Sequence, residues 1–180
     1  YETLFDGIDL RKYTVHLITG SSFALANYIA VAEKQGIRPQ ELAGSMSNIL
    51  RPGKDCLDII EYCAKNVPKF NAGYLDVRNT REGGCTAAQE IAFGLALAMA
   101  TVDALIAKGI DVDQFASRIT WFVNSGPEFF EEVAKFRALR RMWARTFREH
   151  YGAKDPRSWQ CRMHCQPYAL TLTQAQPFNN

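Results

Sequence analysis

The residues best placed for chemistry lie near the end of the chain. His164 stands at the end of a predicted strand, with Arg162, Cys165 and Gln166 around it. A histidine there can donate, accept or exchange a proton, or it can be purely structural, and the sequence alone leaves both readings open. A Cys165–His164 pair for nucleophilic catalysis is rejected, because adjacent residues on a strand point to opposite faces and cannot easily share a hydrogen bond.

The two other histidines and the common short motifs give no further site. His16 lies within a predicted strand and His150 ends a basic helix, so we interpret both as structural. The sequence holds no GxGxxG, no Walker phosphate loop and no HExxH. These are the motifs of dinucleotide, nucleoside triphosphate and zinc-protease sites. No metal site is predicted.

Charged side chains crowd a predicted loop that contains Arg78, Asn79, Glu82 and two glycines. Glycines let the backbone approach a ligand closely, so the loop is a candidate binding site, although an ordinary solvated loop has the same composition. A second candidate is the pair Arg118 and Thr120, which lie two residues apart at the start of a predicted strand and would face the same side. Together they could bind a phosphate or carboxylate, or Arg118 could only pair with a neighbouring acid.

Short β-like runs alternate with longer helical runs along the chain. Strand candidates begin near positions 13, 43, 73, 118 and 160, and helices are predicted over residues 23–35, 55–66, 86–108 and 128–150. Strands that alternate with helices form βαβ units, which have right-handed crossovers and build a parallel sheet. The predicted fold class is therefore α/β.

Two α/β architectures fit this order, an open doubly wound sheet and part of a (β/α)8 barrel. A complete barrel has about 250 residues, so the 180 residues here hold only part of one. In both architectures the chemistry lies on the loops after the carboxyl ends of the strands. These predicted loops are residues 19–22, 45–48, 78–84, 123–126 and 163–168.

Composition limits the classes of function. A chain of 180 residues that is 47% hydrophobic can bury the core of one domain, and its net charge of +2 provides no general field for nucleic acid or a membrane surface. No apolar run reaches the ~18 residues that would span a bilayer, so we expect a soluble, cytoplasmic protein without membrane or nucleic-acid partners. The five cysteines lack CxxC spacing, which predicts mostly small buried side chains. The first residue is not Met, and we expect a segment of something longer.

The last strand and its loop carry a specific resemblance. Residues 162–166 read R-M-H-C-Q and residues 170–180 read L-T-L-T-Q-A-Q-P-F-N-N. They resemble the R-x-H-C/S-Q-T…S-L-T-x-Q-x-P-Y-N-N signature of the coenzyme B12-dependent acyl-CoA mutases of the methylmalonyl-CoA mutase type. The resemblance continues upstream in residues 5–8, 28–36, 42–44, 68–71, 82–86 and 134–137.

The resemblance implies a fold and a partner. Residues 1–180 would form the middle of the family's catalytic (β/α)8 TIM barrel, with about five βα units. The family's cobalamin-binding module carries D-x-H-x-x-G, and none of the three histidines here lies in that pattern. Adenosylcobalamin would therefore be held mainly by another domain or a small subunit, in a homo- or hetero-oligomer. In such enzymes the cobalt–carbon bond breaks homolytically and the acyl skeleton rearranges by a radical mechanism.

The resemblance also implies roles for single residues. His164 and Gln166 match family residues near the corrin and the substrate thioester, and His164 is expected to be catalytic. Arg118 and Thr120 match a basic and hydroxyl pair that contacts the coenzyme A moiety, and Asn71 matches an asparagine that does likewise. These five residues are the expected acyl-CoA and cofactor contacts.

Other positions depart from the family pattern. Asn79 occupies the position of the catalytic histidine, and Arg78 that of the preceding tyrosine. Ser45 and Ser47 match the ends of a T-x-Q substrate-contact segment, so Ser47 replaces the glutamine. A longer family stretch after what is here Leu50 supplies a substrate-reading arginine and is missing. Asn79 can still donate a hydrogen bond to a thioester carbonyl, but it cannot donate a proton as an acid of tuned pKa.

The leading hypothesis is an adenosylcobalamin-dependent isomerase, an intramolecular transferase that moves a group between adjacent carbons of an acyl-CoA other than methylmalonyl-CoA. The second hypothesis is a catalytically silent mutase-like barrel that serves as an assembly or regulatory partner. A third is an unrelated α/β enzyme that uses the same loops.

Overall fold

The computed structural model describes residues 1–179, and Asn180, the last residue of the C-terminal motif, lies outside the described residues. The strands are β1 (Val15–Leu17), β2 (Ala43–Met46), β3 (Lys69–Asn71), β4 (Gly73–Asp76), β5 (Ile119–Ser125) and β6 (Arg162–Pro167). The helices are α1 (Ser22–Lys34), α2 (Lys54–Asn66), α3 (Arg78–Glu82), α4 (Ala87–Ala107) and α5 (Phe129–Arg145).

The strands form two three-stranded parallel sheets, each in chain order. The β1, β2 and β3 strands pair in that order, and so do β4, β5 and β6, always in parallel. Only Ala72 separates β3 from β4. The two sheets are joined beside it, where the Leu50 amide donates to the Tyr74 carbonyl at 2.8 Å and the Tyr74 amide donates to the Asn48 carbonyl at 2.9 Å. The α/β class and the parallel βα units are thus confirmed, consistent with part of a TIM barrel that the described residues do not close.

Helix α4 shows how local sequence sets an element's limits. The Thr86 hydroxyl accepts from the Gln89 amide at 3.2 Å, and the Gln89 side chain accepts from the Thr86 amide at 2.9 Å. This capping box satisfies backbone donors that the first helical turn leaves free. After the helix, Gly109 adopts a φ of 80°, which favours glycine and ends the helical path. The prediction of a helix over 86–108 is confirmed.

By length and hydropathy, α4 could also cross a membrane. This corrects the expectation that no apolar run is long enough. In the structure, however, the helix packs as a core element, with Ile91, Leu95 and Val102 buried. Glu90 on the same helix is fully buried and ion-paired, as described below. The apolar character of α4 follows from packing against the sheet.

Several predicted boundaries are wrong for local reasons. The strand predicted near residue 73 is present as β4, which begins at Gly73, but a further short strand that was not predicted, Lys69–Asn71, precedes it. Arg118 does not begin β5, since it lies in a short helical turn where its amide donates to the Phe115 carbonyl at 2.8 Å. Trp159 likewise belongs to a short helical turn before β6. The long basic helix ends at Arg145 and continues as one wider turn, Thr146–His150.

The core lies between the sheet and its helices. Trp121 of β5 meets Trp143 of α5 edge-on at 5.6 Å between ring centroids, and Phe147 lies 4.2 Å beyond Trp143. The cysteines contribute less than expected. Cys56 and Cys63 are buried, but the three others are partly or largely exposed, and all five are free thiols. Burial raises the pKa of Cys63 to about 12, as expected of an inert core thiol.

Gly94→Ala tests how closely α4 packs against the sheet. A Cβ at this position would lie 2.3 and 2.7 Å from Trp121 ring atoms and 2.9 Å from a Val77 methyl carbon. We expect the free energy of unfolding to fall by about 1–3 kcal/mol, although alanine favours a helix, because overpacking outweighs the gain in propensity. Urea denaturation measures this, with Gly53→Ala as the control, since a Cβ there meets only Arg51 side-chain atoms at 3.6 Å and beyond. Equal stability of the two variants would contradict this packing.

Candidate functional site

One face of the parallel strands lines an open cavity of about 710 Å³. Its lining comes from alternate positions of the strands, as strand geometry requires. Interiors of (β/α)8 barrels are normally filled with bulky branched aliphatic side chains. Here most of the lining is polar or aromatic, which leaves open space along the strands. The lining residues are His16, Ile18, Ser45, Met46, Ser47, Ile49, Asn71, Gly73, Tyr74, Asp76, Arg78, Thr120, Phe122, Arg162, His164 and Gln166.

One layer of this lining is polar across β1, β2 and β3. Strand register places His16 beside Ser45, and Ser45 beside Asn71. The Asn71 side-chain oxygen accepts a hydrogen bond from Arg162 of β6 at 2.8 Å, and the same guanidinium donates to the Ser117 carbonyl at 3.1 Å. Both acceptors are uncharged, so the positive charge of Arg162 stays available to an anionic ligand.

Basic side chains also surround a small depression of about 150 Å³ at the amino-terminal ends of β5 and β6. Arg118, Arg157 and Arg162 line it. Burial lowers the pKa of Arg118, and the nearby positive charges of Arg162 and Arg157 lower it further. Asp155 pairs with Arg157 at 2.7 Å. Clustered cations with only one acid attract phosphate groups.

The structure separates the predicted pair Arg118 and Thr120. Thr120 lines the main cavity, whereas Arg118 lines the adjoining depression, and Arg162 contributes to both. The physical reason is that Arg118 precedes the strand, so the alternation of strand faces does not apply to it. Their joint contact with coenzyme A remains a prediction, now with Arg162 between them.

At the other end of the strands, Arg78 is fixed by hydrogen bonds to two side chains and by contact with an aromatic ring. Its Nε and Nη2 atoms donate to Asp76 at 3.4 and 3.1 Å, and Nη1 donates to the Gln166 side-chain oxygen at 3.0 Å. The guanidinium lies 4.1 Å from the centroid of the Phe122 ring. The hydrogen bond to Asp76 raises the pKa of Arg78. The planar guanidinium of Arg78 is therefore fixed at the mouth of the cavity, and its positive charge is balanced by Asp76.

His164 and Gln166 both line the cavity, and their ligand contacts remain a prediction. His164 stands in the middle of β6 and not at a strand end as predicted, because the strand continues to Pro167. The His164 ring packs edge-on against Phe122, with centroids 4.6 Å apart. Cys165 is absent from the described lining of this cavity, in agreement with the opposite faces of adjacent strand residues.

Sequence reasoning missed His16. Its Nδ1 atom lies 2.7 Å from the Ser45 hydroxyl oxygen, and its Nε2 atom lies 3.1 Å from the Ser47 hydroxyl oxygen. The side chain lines the cavity, so a ligand contact by His16 is a further prediction beside its structural role. The available signal was register, because two parallel strands that place His16 opposite Ser45 bring both to one face. His150, in contrast, packs beside Tyr151 at 4.7 Å between ring centroids and lies outside the cavity.

Asn79 does not line the cavity in the described residues. It is exposed on the short helix α3, and its carbonyl accepts from the Gly83 amide at 2.9 Å. Its catalytic role remains a prediction. The loop around it is more ordered than a solvated loop, since Arg81 donates to the Cys85 carbonyl at 2.6 Å and contacts Glu131 at 3.4 Å.

A buried ion network lies behind the cavity wall. The Lys135 ammonium contacts a Glu90 carboxylate oxygen at 3.0 Å, a Glu132 carboxylate oxygen at 2.5 Å and the Asn124 carbonyl at 2.6 Å. The side chains of Lys135, Glu90 and Glu132 are 2%, 0% and 5% exposed. Buried charges of this kind require partners. The network therefore ties α4, α5 and β5 together.

Hydrogen bonds of Asn124 connect this buried network to the site. Its backbone amide donates to Glu90 at 3.1 Å, and its side-chain amide donates to the Arg78 carbonyl at 3.0 Å. A second, longer contact reaches Glu82 at 3.4 Å. The start of α3, which carries Arg78 into the cavity, is thus anchored to the buried charges.

Comparisons with known proteins agree with this geometry. A family model described as methylmalonyl-CoA mutase matches residues 1–180. The chain is 38% identical to the 2-hydroxyisobutanoyl-CoA mutase large subunit of Aquincola tertiaricarbonis, over 97% of this chain and 34% of that protein. It is 37% identical to methylmalonyl-CoA mutase of Rhizobium meliloti, over 98% of this chain and 27% of that protein. It is 34% identical to the mitochondrial methylmalonyl-CoA mutase of Homo sapiens, over 98% of this chain and 26% of that protein.

The chain thus spans about a quarter to a third of the length of these relatives. The alignments extend over 192 and 194 residues, more than the 180 of this chain. The relatives therefore hold residues within the aligned region that this chain lacks.

Lys135→Met tests the buried network. It removes the ammonium while leaving the carboxylates of Glu90 and Glu132 buried, so we expect the free energy of unfolding to fall by about 3–5 kcal/mol. Arg137→Met on the exposed side of the same helix is the control and should change stability by no more than about 0.5 kcal/mol. Urea denaturation compares them. A loss for Lys135→Met as small as that of the control would show that the network does not hold these elements together.

Proposed function

Because the chain belongs to the methylmalonyl-CoA mutase family, we propose that it forms part of the substrate-binding barrel of an adenosylcobalamin-dependent acyl-CoA mutase. The reaction is an isomerisation in which a group moves between adjacent carbons of the acyl chain. One observation carries the proposal: polar and aromatic side chains line a cavity on the inner face of the sheet, which runs from Arg162 and Asn71 at one end of the strands to Arg78 and Gln166 at the other. An extended ligand fits such a cavity.

The charges indicate how coenzyme A would lie. Its phosphates would bind at the arginine cluster of Arg118 and Arg162, where positive charge is in excess. The pantetheine arm would then pass Thr120 and Asn71, whose side chains offer hydrogen bonds along the cavity. The acyl group would lie beyond His164, which stands in the middle of β6, and near Gln166 towards the carboxyl end of that strand, where chemistry in (β/α)8 barrels takes place.

Residues at that end also fit a large amide-bearing cofactor. His164 and Gln166 offer hydrogen-bonding groups, and the following segment exposes Leu170 and Leu172, which are 67% and 48% accessible. When bound, adenosylcobalamin supplies the homolytic bond cleavage that starts a radical rearrangement. The chain's own residues would orient the acyl-CoA and exclude water, with Phe122 packed between Arg78 and His164.

The remaining partners are proposed from the same family membership. None of the histidines lies in a D-x-H-x-x-G pattern, so the lower face of the cofactor would be held by a separate cobalamin-binding domain or small subunit. Two relatives are described as large subunits, which supports a hetero-oligomer. A soluble, cytoplasmic location is proposed on the α/β fold.

A substrate other than methylmalonyl-CoA is favoured by the cavity lining. Ser47 stands where the family pattern has glutamine, and Arg78 where it has tyrosine, and both line the cavity. Ser45 beside them completes the substrate-contact segment.

A catalytically silent barrel that serves as an assembly or regulatory partner is the second candidate. Asn79 favours it, because the residue expected in place of the catalytic histidine is exposed outside the cavity lining.

Arg162→Gln tests the path of coenzyme A. Loss of one charge-assisted hydrogen bond to phosphate should weaken coenzyme A binding by about tenfold, in line with 1.5–3 kcal/mol for such a bond, and should reduce the dependence of affinity on salt. Isothermal titration calorimetry of the full-length protein at two salt concentrations measures both. Arg137→Gln, which removes an exposed arginine from α5, is the matched control. Equal coenzyme A affinity in the two variants would contradict the proposed path.

Titration of the full-length protein with adenosylcobalamin and a panel of acyl-CoAs tests the isomerase. We expect a change in the cobalamin absorption spectrum that requires both ligands, together with product formation. His164→Ala should abolish the product. Absence of any spectral change and product across the panel, with acyl-CoA binding retained, would favour the silent barrel instead.

A further inference from the structure

Two side-chain contacts connect helix α3 to the end of β6. Inside the cavity, Arg78 Nη1 donates to the Gln166 side-chain oxygen at 3.0 Å. Near the end of the helix, the Tyr168 hydroxyl donates to the Arg81 carbonyl at 3.1 Å. The Arg81 guanidinium also lies 5.6 Å from the centroid of the Tyr168 ring, within the range of a cation–π contact. Because β5 lies between β4 and β6, both contacts span the carboxyl end of β5.

The two partners in the second contact are themselves fixed. The Tyr168 amide donates to the carbonyl of Ser125, the last residue of β5, at 2.8 Å. The Arg81 guanidinium donates to the Cys85 carbonyl at 2.6 Å and contacts a Glu131 carboxylate oxygen at 3.4 Å. The hydroxyl and the ring of Tyr168 therefore meet groups that other parts of the chain hold in place.

Helix α3 needs contacts of this kind, because it has only five residues. A helix this short is not stable by itself in water, so its position follows from tertiary contacts. The Asn124 side chain holds the first residue of the helix by donating to the Arg78 carbonyl at 3.0 Å. Tyr168 holds the fourth residue, Arg81. The direction of α3, and with it the position of the Arg78 side chain, depends on both contacts.

We propose that Tyr168 is a positioning residue of the site. It keeps α3 at a fixed distance from β6, so that Arg78 stays hydrogen-bonded to Gln166 and packed 4.1 Å from the centroid of the Phe122 ring. Tyr168 is absent from the described lining of the cavity, so it acts through Arg78 and Gln166. The inference rests on the proposed function, in which Gln166 faces the cofactor, and adds a residue that sets the geometry of this contact.

Tyr168→Phe tests the connection to α3, because it removes the hydroxyl and keeps the ring beside Arg81. Hydrogen–deuterium exchange of the full-length protein is measured by mass spectrometry over residues 78–84. We expect exchange there to become about two- to tenfold faster, the range that loss of one neutral hydrogen bond allows. Tyr168→Ala, which also removes the ring, should exchange faster still.

Tyr151→Phe is the matched control. The Tyr151 hydroxyl donates to the Met99 carbonyl at 3.2 Å and to Asp103 at 2.9 Å, outside the described lining of the cavity. Both variants thus lose a tyrosine hydroxyl that bonds to a backbone carbonyl. Tyr151→Phe should leave exchange over residues 78–84 unchanged, even where it lowers the stability of the whole protein.

Calorimetric titration of the full-length protein with adenosylcobalamin and with coenzyme A separates positioning from stability. We expect Tyr168→Phe to weaken binding of adenosylcobalamin several-fold, because Gln166 loses its fixed partner. The affinity for coenzyme A should stay the same, since its phosphates would bind at the opposite ends of the strands. Gln166→Leu should also weaken binding of adenosylcobalamin. In the double variant the two losses should not add, because Tyr168 acts through Gln166.

The outcomes separate the two proposals. The positioning role alone is overturned if Tyr168→Phe matches Tyr151→Phe in exchange over residues 78–84 or in affinity for adenosylcobalamin. Additive losses in the double variant with Gln166→Leu overturn it as well. Absence of adenosylcobalamin binding by the unchanged protein overturns the proposed function, and the positioning role with it.

Discussion

A buried ammonium holds the site end of this molecule in place. Lys135 comes from α5 and meets the carboxylate of Glu90 from α4 and the carbonyl of Asn124 from β5. Charges that are withdrawn from water are tolerated only in good geometry with further hydrogen bonds, which fixes the three elements relative to each other. Asn124 then donates to the carbonyl of Arg78. The position of the cavity mouth thus depends on a charge that is buried behind the cavity wall.

The cavity exists because few bulky branched aliphatic side chains line the inner face of the strands. Small and hydrogen-bonding side chains at alternate strand positions, such as Ser45, Asn71 and Thr120, do not fill the interior as branched aliphatic residues would. The stability of the fold comes instead from the outer side of the sheet, where Trp121 and Trp143 pack between β5 and α5. Different side chains therefore stabilise the fold and line the cavity, so the lining can change to suit a ligand without loss of the core.

Much of the fold follows from periodicity, and the exceptions have local causes. The capping box at Thr86 and the glycine at position 109 make α4 readable from the sequence. The short β3 strand is not readable, because three residues beside Ala72 carry too little pattern to distinguish them from a loop. The position of Arg118 at the start of the strand was wrongly predicted for a similar reason, since alternation applies only within the strand.

The site was predictable only in part, because it depends on register between distant segments. His164 and Gln166 stand on one strand, and alternation places them on one face. His16 acquires its contacts only when β1 pairs with β2, and the Glu90–Lys135 pair requires two helices to pack on β5. No local pattern encodes either contact. Resemblance to a family supplied the ligand class, and the pairing of the strands showed where this chain differs.

The central claim is that the inner face of the sheet is the path of coenzyme A. A crystal structure of the full-length protein with bound coenzyme A tests it most directly. We expect density for the phosphates beside Arg118 and Arg162, with the pantetheine arm inside the sheet and the sulfur towards His164. Coenzyme A bound on the outer helical surface, with the inner cavity closed by side chains of the protein itself, would contradict the claim.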